Sequence, residues 1–312
     1  MRYSLVSRFQ GTLLGAFLGE KKASNSTHQL QGAEKLQVAS LHWIDMAILC
    51  AESLISLGRF DTEDWRKRQQ PKHTNLENSY CAILATLPVV LSFHENTMKL
   101  RQNLLIATEI WHNDPEVRDG ILAVGYAIAQ SLTEKLNPAT VISQTISFVG
   151  ETSTNLPQQL LKVHSFLENG TRLEKVQTEL SKEENLTNAI ALAFYCFLST
   201  TEDFRLSVLR AIQKNHRLPG IGAIAGALSG AYNSTVGIPV SWQVMLLQAK
   251  PEECSLADSS RMLELADALV AVWSGVYHLT SHPDEVTEQG SAIAPHLEHL
   301  QAIAAPRVIR SR

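Results

Sequence analysis

Apolar residues return every three or four positions along most of this chain. In LHWIDMAILCAESLISLG, Leu41, Ile44, Ile48 and Ile55 fall on one face before Gly58 stops the run. FDTEDWRKR restarts a helix, with Asp61 or Thr62 in the capping position and acids in the first turn. STTEDFRLSVLRAI repeats the device, with Thr200 as cap and Asp203 three residues on. The same periodicity predicts helices over residues 80–93, 115–136, 138–148, 156–167, 185–198 and 259–277. No stretch alternates as a half-buried strand does. Connections are short and polar, apart from one longer loop expected over residues 20–38. The pattern predicts an all-α chain folded as a single compact helical domain.

One segment breaks the ordinary helical composition. In GIGAIAGALSGAY, Gly222, Gly226 and Gly230 stand four apart, with Ala223, Ala227 and Ala231 beside them. Each glycine costs a helix about 1 kcal/mol relative to alanine. Close approach by another backbone is the usual offset. Membrane helix pairs use this spacing too. Here, however, the apolar run from Leu218 to Tyr232 is bounded by Arg217 and Asn233, and a span needs about 20 residues. A buried helix in a soluble protein is expected, with no membrane partner.

Composition narrows the field further. The 312 residues are 45% hydrophobic and 19% charged, with a net charge of -4, so the chain can bury a large core and gives no electrostatic reason to expect nucleic acid. Cys50, Cys81, Cys196 and Cys254 form no CxxC pair, which fits a reducing cytoplasm. RFQGTLLGAFLGEKKASNS has a short apolar run after arginine, but Glu20, Lys21 and Lys22 follow it directly, unlike a signal-peptide cleavage site.

Four segments resemble, in order and spacing, the motifs of the ADP-ribosylglycohydrolase family. RFQGTLLGAFLGE is similar to the family's opening RxxGxLLGxxxGDALG. DMAILCAESLISLGRFDTEDW resembles its second helix and the following helix start. LRAIQKNHRLPGIGAIAGALSGAYNSTVGIPVSW resembles its late signature with the IPxxW ending, and LELADAL its terminal helix. The correspondence runs from about Arg8 to Leu269. It implies an all-α fold around a two-magnesium site that hydrolyses ADP-ribosyl bonds on proteins or small molecules. The family-like domain is expected over residues 1–278, with residues 279–312 a C-terminal extension forming a loop or short helix.

The resemblance also locates the family's metal ligands. A Thr-Asp-Asp stretch opens the second helix, and an Asp-x-Asp-Thr stretch precedes the glycine block. Here Leu41, His42, Trp43 and Ile44 fill the first set, and Arg217, Leu218, Pro219 and Gly220 the second. The first motif's Gly-Asp appears as Gly19-Glu20. A middle motif, GNGAAMRxAP, corresponds to SYCAILATLP, where Pro88 is kept but Ala85 stands for the arginine. His112, in WHNDP, corresponds to a polar position of the family. Leu218 and Pro219 carry no ligand atom, Arg217 repels a dication, and Trp43 is bulky enough to fill the space of a hydrated metal.

The expected function is therefore a catalytically inactive ADP-ribosylglycohydrolase-like protein that binds, scaffolds or regulates a protein partner. No catalytic residue, metal or cofactor is expected, the family's magnesium site being lost. Two alternatives stay open. A hydrolase with a rebuilt site would use Glu20, Asp45 and His112, with Arg217 as phosphate clamp. A metal-independent ADP-ribose or nucleotide sensor would bind through His42, Trp43 and Arg217. A zinc site from His42, His112 and His216 lacks the tight spacing of such motifs.

Overall fold

The structure, a computed structural model, describes residues 3–28, 42–69, 79–111, 113–180, 185–213, 220–247 and 255–276. Among these there are helices and turns but no strand. In chain order the helices are α1 (Leu5–His28), α2 (His42–Leu57), α3 (Thr62–Gln69), α4 (Ser79–Ala85) and α5 (Leu87–Phe93). Then come α6 (Thr97–Thr108), α7 (Pro115–Leu132), α8 (Val141–Val149), α9 (Leu156–Glu168) and α10 (Leu173–Leu180). The last five are α11 (Leu186–Leu198), α12 (Phe204–Ile212), α13 (Gly220–Asn233), α14 (Val240–Leu247) and α15 (Ser255–Trp273).

The glycine face of α13 lies against α1. Gly230 meets Gly11, Gly226 meets Gly15 and Gly222 meets Gly19, so the two helices run antiparallel with one glycine facing another at each step. A Cβ added at any of the six would stand under 3.0 Å from a backbone atom of the facing helix. Backbone therefore touches backbone, a distance that admits Cα–H···O=C contacts. This close packing offsets the propensity lost to six glycines. Around the pair sit α7, α11 and α12 on the α13 side, and α15 on the α1 side. α2 and α4 pack together, with α15 against α2 and α13 against α4, and so close one end of the pair.

Other motif residues also serve this frame. Arg8 is buried, and its Nη1 donates to the carbonyls of Ser131 at 3.1 Å and Leu132 at 3.0 Å, while Nη2 pairs with Glu134. A cation at the carbonyl end of α7 is favourably placed. That helix ends at Leu132, short of the expected residue 136, where Glu134 turns to φ 58° and the Lys135 N–H closes back on the Gln130 carbonyl at 2.9 Å. In the IPxxW segment, Trp242 is buried edge-on to Phe204 at 6.0 Å, with the Lys22 ammonium 4.8 Å from its ring centre.

The structure revises several local expectations. α1 runs on to His28, so Glu20 lies inside a helix and not at the start of a loop. The segment predicted as one helix over residues 80–93 is two, because Pro88 has no N–H to offer the carbonyl of Leu84. Thr86 stands at the break, its hydroxyl donating to the Ile83 carbonyl at 2.8 Å. Asp203, not Thr200, caps α12, accepting from the Leu206 N–H at 2.8 Å. Thr200 instead donates to the Cys196 carbonyl at the end of α11. Asp61 takes the capping role before α3, accepting from the N–H groups of Glu63 and Asp64. Helices α6, α10 and α14 lie where no helix was expected.

Candidate functional site

Glu20 follows Gly19, the last glycine of the ladder. One residue further round the helix is a rotation of about 100°, which turns its side chain off the α13 face. The carboxyl is 2% exposed. Two aromatic side chains close over it. Trp43, second residue of α2 and fully buried, donates its indole N–H to Glu20 Oε2. Tyr80, second residue of α4 and 8% exposed, donates its hydroxyl to Oε1 at 3.5 Å. The Tyr80 ring lies directly on Gly220, where any Cβ would overlap it.

The electrostatics follow from this enclosure. Burial raises the Glu20 pKa to about 8, outweighing the lowering by the Trp43 bond, Lys21 and the Tyr80 bond. The group is predominantly a neutral acid at pH 7. Burial also pushes the Tyr80 hydroxyl well up, and raises the Cys81 thiol to about 12, with Glu20 as the next contribution to each. Neither ionises near neutrality. Cys81 is buried and free, an inert thiol and not a nucleophile.

Of the residues singled out in the sequence, the structure brings two together. Glu20 and Trp43 meet. Asp45 is half-buried, two positions and about 200° round α2 from Trp43, and does not appear among the groups that shift Glu20. The side chain of His42, and all of His112, His216 and Arg217, lie outside the described residues. Tyr80 is the addition that sequence reasoning missed. Its signal was present, since it stands in SYCAILATLP opposite the asparagine of GNGAAMRxAP. Among the described residues, no three His, Cys, Asp or Glu side chains gather as metal ligands do.

Two further buried polar groups went unseen in the sequence. Asp119, fully buried on α7, accepts from Arg118 at 2.9 Å and from the hydroxyls of Thr152 and Thr154, tying α7 to the turn before α9. His94 sits between Phe9 and Trp273, each ring centre 5.4 Å away, with Nδ1 2.7 Å from the Leu91 carbonyl. Burial lowers its pKa to about 4.

Taken together, this is an all-helical scaffold built on a glycine-paired helix core, with an acidic residue and two aromatics packed at one end. Its lineage is also clear. The chain belongs to the ADP-ribosylglycohydrolase family, whose model matches residues 1–278. No curated protein matches the sequence. No helix among the described residues is long and apolar enough to cross a membrane.

Proposed function

We propose that this chain is a non-hydrolysing member of its family, acting as a binding, scaffolding or regulatory subunit for a protein partner. The observation that carries the reading is the full enclosure of Trp43 against Glu20. Magnesium takes hard oxygen ligands in octahedral geometry and keeps several waters. Among the described residues, Glu20 meets an indole N–H and a phenol O–H, both donating, and its carboxyl has almost no exposed surface. These residues do not fit a dinuclear magnesium centre.

The same geometry weighs against Glu20 as a general base. Such a base must be ionised and within reach of its water. With 2% of its surface exposed and its proton mostly retained at pH 7, Glu20 is poorly placed for both. A ligand sensor would need the aromatic plug to open first. Free, buried Cys50, Cys81 and Cys196 support a reducing cytoplasm as the compartment. In this reading residues 1–278 form the family-like domain and residues 279–312 an extension to it.

Hydrolysis provides the direct test. Purified protein incubated with magnesium and ADP-ribosyl-arginine or ADP-ribosyl-serine peptides is expected to release ADP-ribose no faster than the protein-free control. Sustained, magnesium-dependent turnover would overturn the proposal.

A further inference from the structure

Val236, Val240 and Val244 are 72%, 73% and 39% exposed, and follow one another along the turn into α14 and its outer face. A single exposed valine is ordinary, but three in succession make a strip of apolar surface. The backbone under the strip is tied down on both sides. Ser234 sits at φ 58° against Gly11, and its hydroxyl accepts from the Val236 N–H at 3.2 Å. Gln243 Nε2 donates to the carbonyls of Thr235 at 3.2 Å and Ile238 at 2.9 Å. On the inner face of α14, Trp242 meets Phe204 of α12, and α12 leaves its own Leu206 and Leu209 exposed.

The chain leaves the described domain at the same end. Gly275 takes φ 73° after α15, its N–H bonding the Val272 carbonyl and that of Val276 the Ala271 carbonyl, which turns the chain off the helix axis. Trp273 packs on His94 and His94 on Phe9, while Ser7, on the same turn of α1 as Phe9, shares a hydrogen bond with Thr235 at 2.6 Å. Residues 277–312 follow, outside the described residues. In their sequence, Pro295 and Pro306 bracket HLEHLQAIAA, where Leu297, Leu300 and Ala304 recur at helical spacing with Ile303 beside them. A helix of that length is too short to persist alone in water, so its apolar stripe needs a surface to lie on. Residues 277–294 separate it from the exit. A chain of that length spans roughly 20–25 Å on average, about the radius of a domain this size.

We propose that residues 295–305 fold back as a short helix and dock Leu297, Leu300 and Ile303 on the Val236–Val240–Val244 strip of the same chain. The tether decides between this occupant and a second copy of the protein. A segment joined by so short a linker presents itself at roughly millimolar effective concentration, far above that of a free protein in dilute solution. The docked helix covers an apolar strip that would otherwise invite association. This goes beyond the function proposed above and does not depend on it.

The experiment is amide hydrogen exchange on the full-length protein, wild type and Leu297→Glu/Leu300→Glu. In the wild type, peptides over residues 295–305 should exchange on the order of tenfold more slowly than unprotected chain. The double variant should lose that protection and speed exchange in peptides over residues 236–247, with the other helices unchanged. Val240→Glu, at a side chain the fold leaves exposed, should in turn release residues 295–305. All of these effects should hold at every protein concentration. Unprotected exchange of residues 295–305 in the wild type, or variants at one segment that leave the other unaffected, would overturn the proposal. Protection that fades on dilution would overturn it in favour of a second copy. Faster exchange throughout the double variant would make the terminus part of the core, and would also refute it.

Discussion

Glu20 and His94 are both buried in their uncharged forms, and pH acts on them in opposite directions. Glu20 has its folded pKa raised from 4.5 to about 8, so its contribution to stability is complete below pH 4.5 and is lost as pH climbs through 8. His94 has its folded pKa lowered from 6.5 to about 4, so its contribution is complete above pH 6.5 and is lost as pH falls through 4. Between pH 4.5 and 6.5 the two slopes cancel, each one proton in size. Above pH 6.5 only Glu20 remains. Urea unfolding of the wild type should therefore show no net contribution from this pair over the lower window, then a decline of roughly 1.4 kcal/mol per pH unit up to about pH 8. Replacing His94→Phe should start that decline near pH 4.5. The bond to the Leu91 carbonyl is lost with it, an offset of about 1 kcal/mol that does not vary with pH. A variant curve parallel to the wild type at every pH would contradict these assignments.

At the scale of elements, the glycine ladder makes an unusual prediction about sign. In an isolated helix, glycine to alanine gains about 1 kcal/mol. In the α1–α13 pair a methyl group at Gly226 runs into the Gly15 carbonyl, and the reverse holds at Gly15. Gly226→Ala and Gly15→Ala should each lose roughly 3 kcal/mol in chemical denaturation, as overpacking does. The two act by forcing the same separation, so the double variant should lose clearly less than the sum. Additive losses, or any gain, would mean the helices do not meet backbone to backbone. Much of this pair was legible in the sequence. The bare face of Gly222, Gly226 and Gly230 called for a close partner, and RFQGTLLGAFLGE carries the matching spacing at Gly11, Gly15 and Gly19. What periodicity does not encode is which helix pairs with which, since the two segments lie some 200 residues apart. Caps were half-legible, because neighbouring Thr200 and Asp203, or Asp61 and Thr62, compete on equal local terms. The run from Lys21 to His28 was read as loop because its polar side chains show no apolar stripe, yet it continues α1.

For the whole molecule, the sequence marked the site by its resemblance to the family's ligand slots, while the packing of the residues that fill those slots depends on the fold. Trp43 in an aspartate slot was visible as a space-filler. That it bonds Glu20, and that Tyr80 closes the other side over Gly220, depends on three segments brought together by α1, α2, α4 and α13. In the function proposed above, the scaffold of an ADP-ribosylglycohydrolase is kept and the aromatic pair stands at the place its chemistry would occupy. The most direct test of that account is a thermal-unfolding titration with ADP-ribose, run with and without magnesium at pH 7. Ligand at 100 times its dissociation constant stabilises a folded protein by about 2.7 kcal/mol. With the plug shut, neither titration should move the transition. A shift that requires magnesium would show that the metal site persists and would contradict the account.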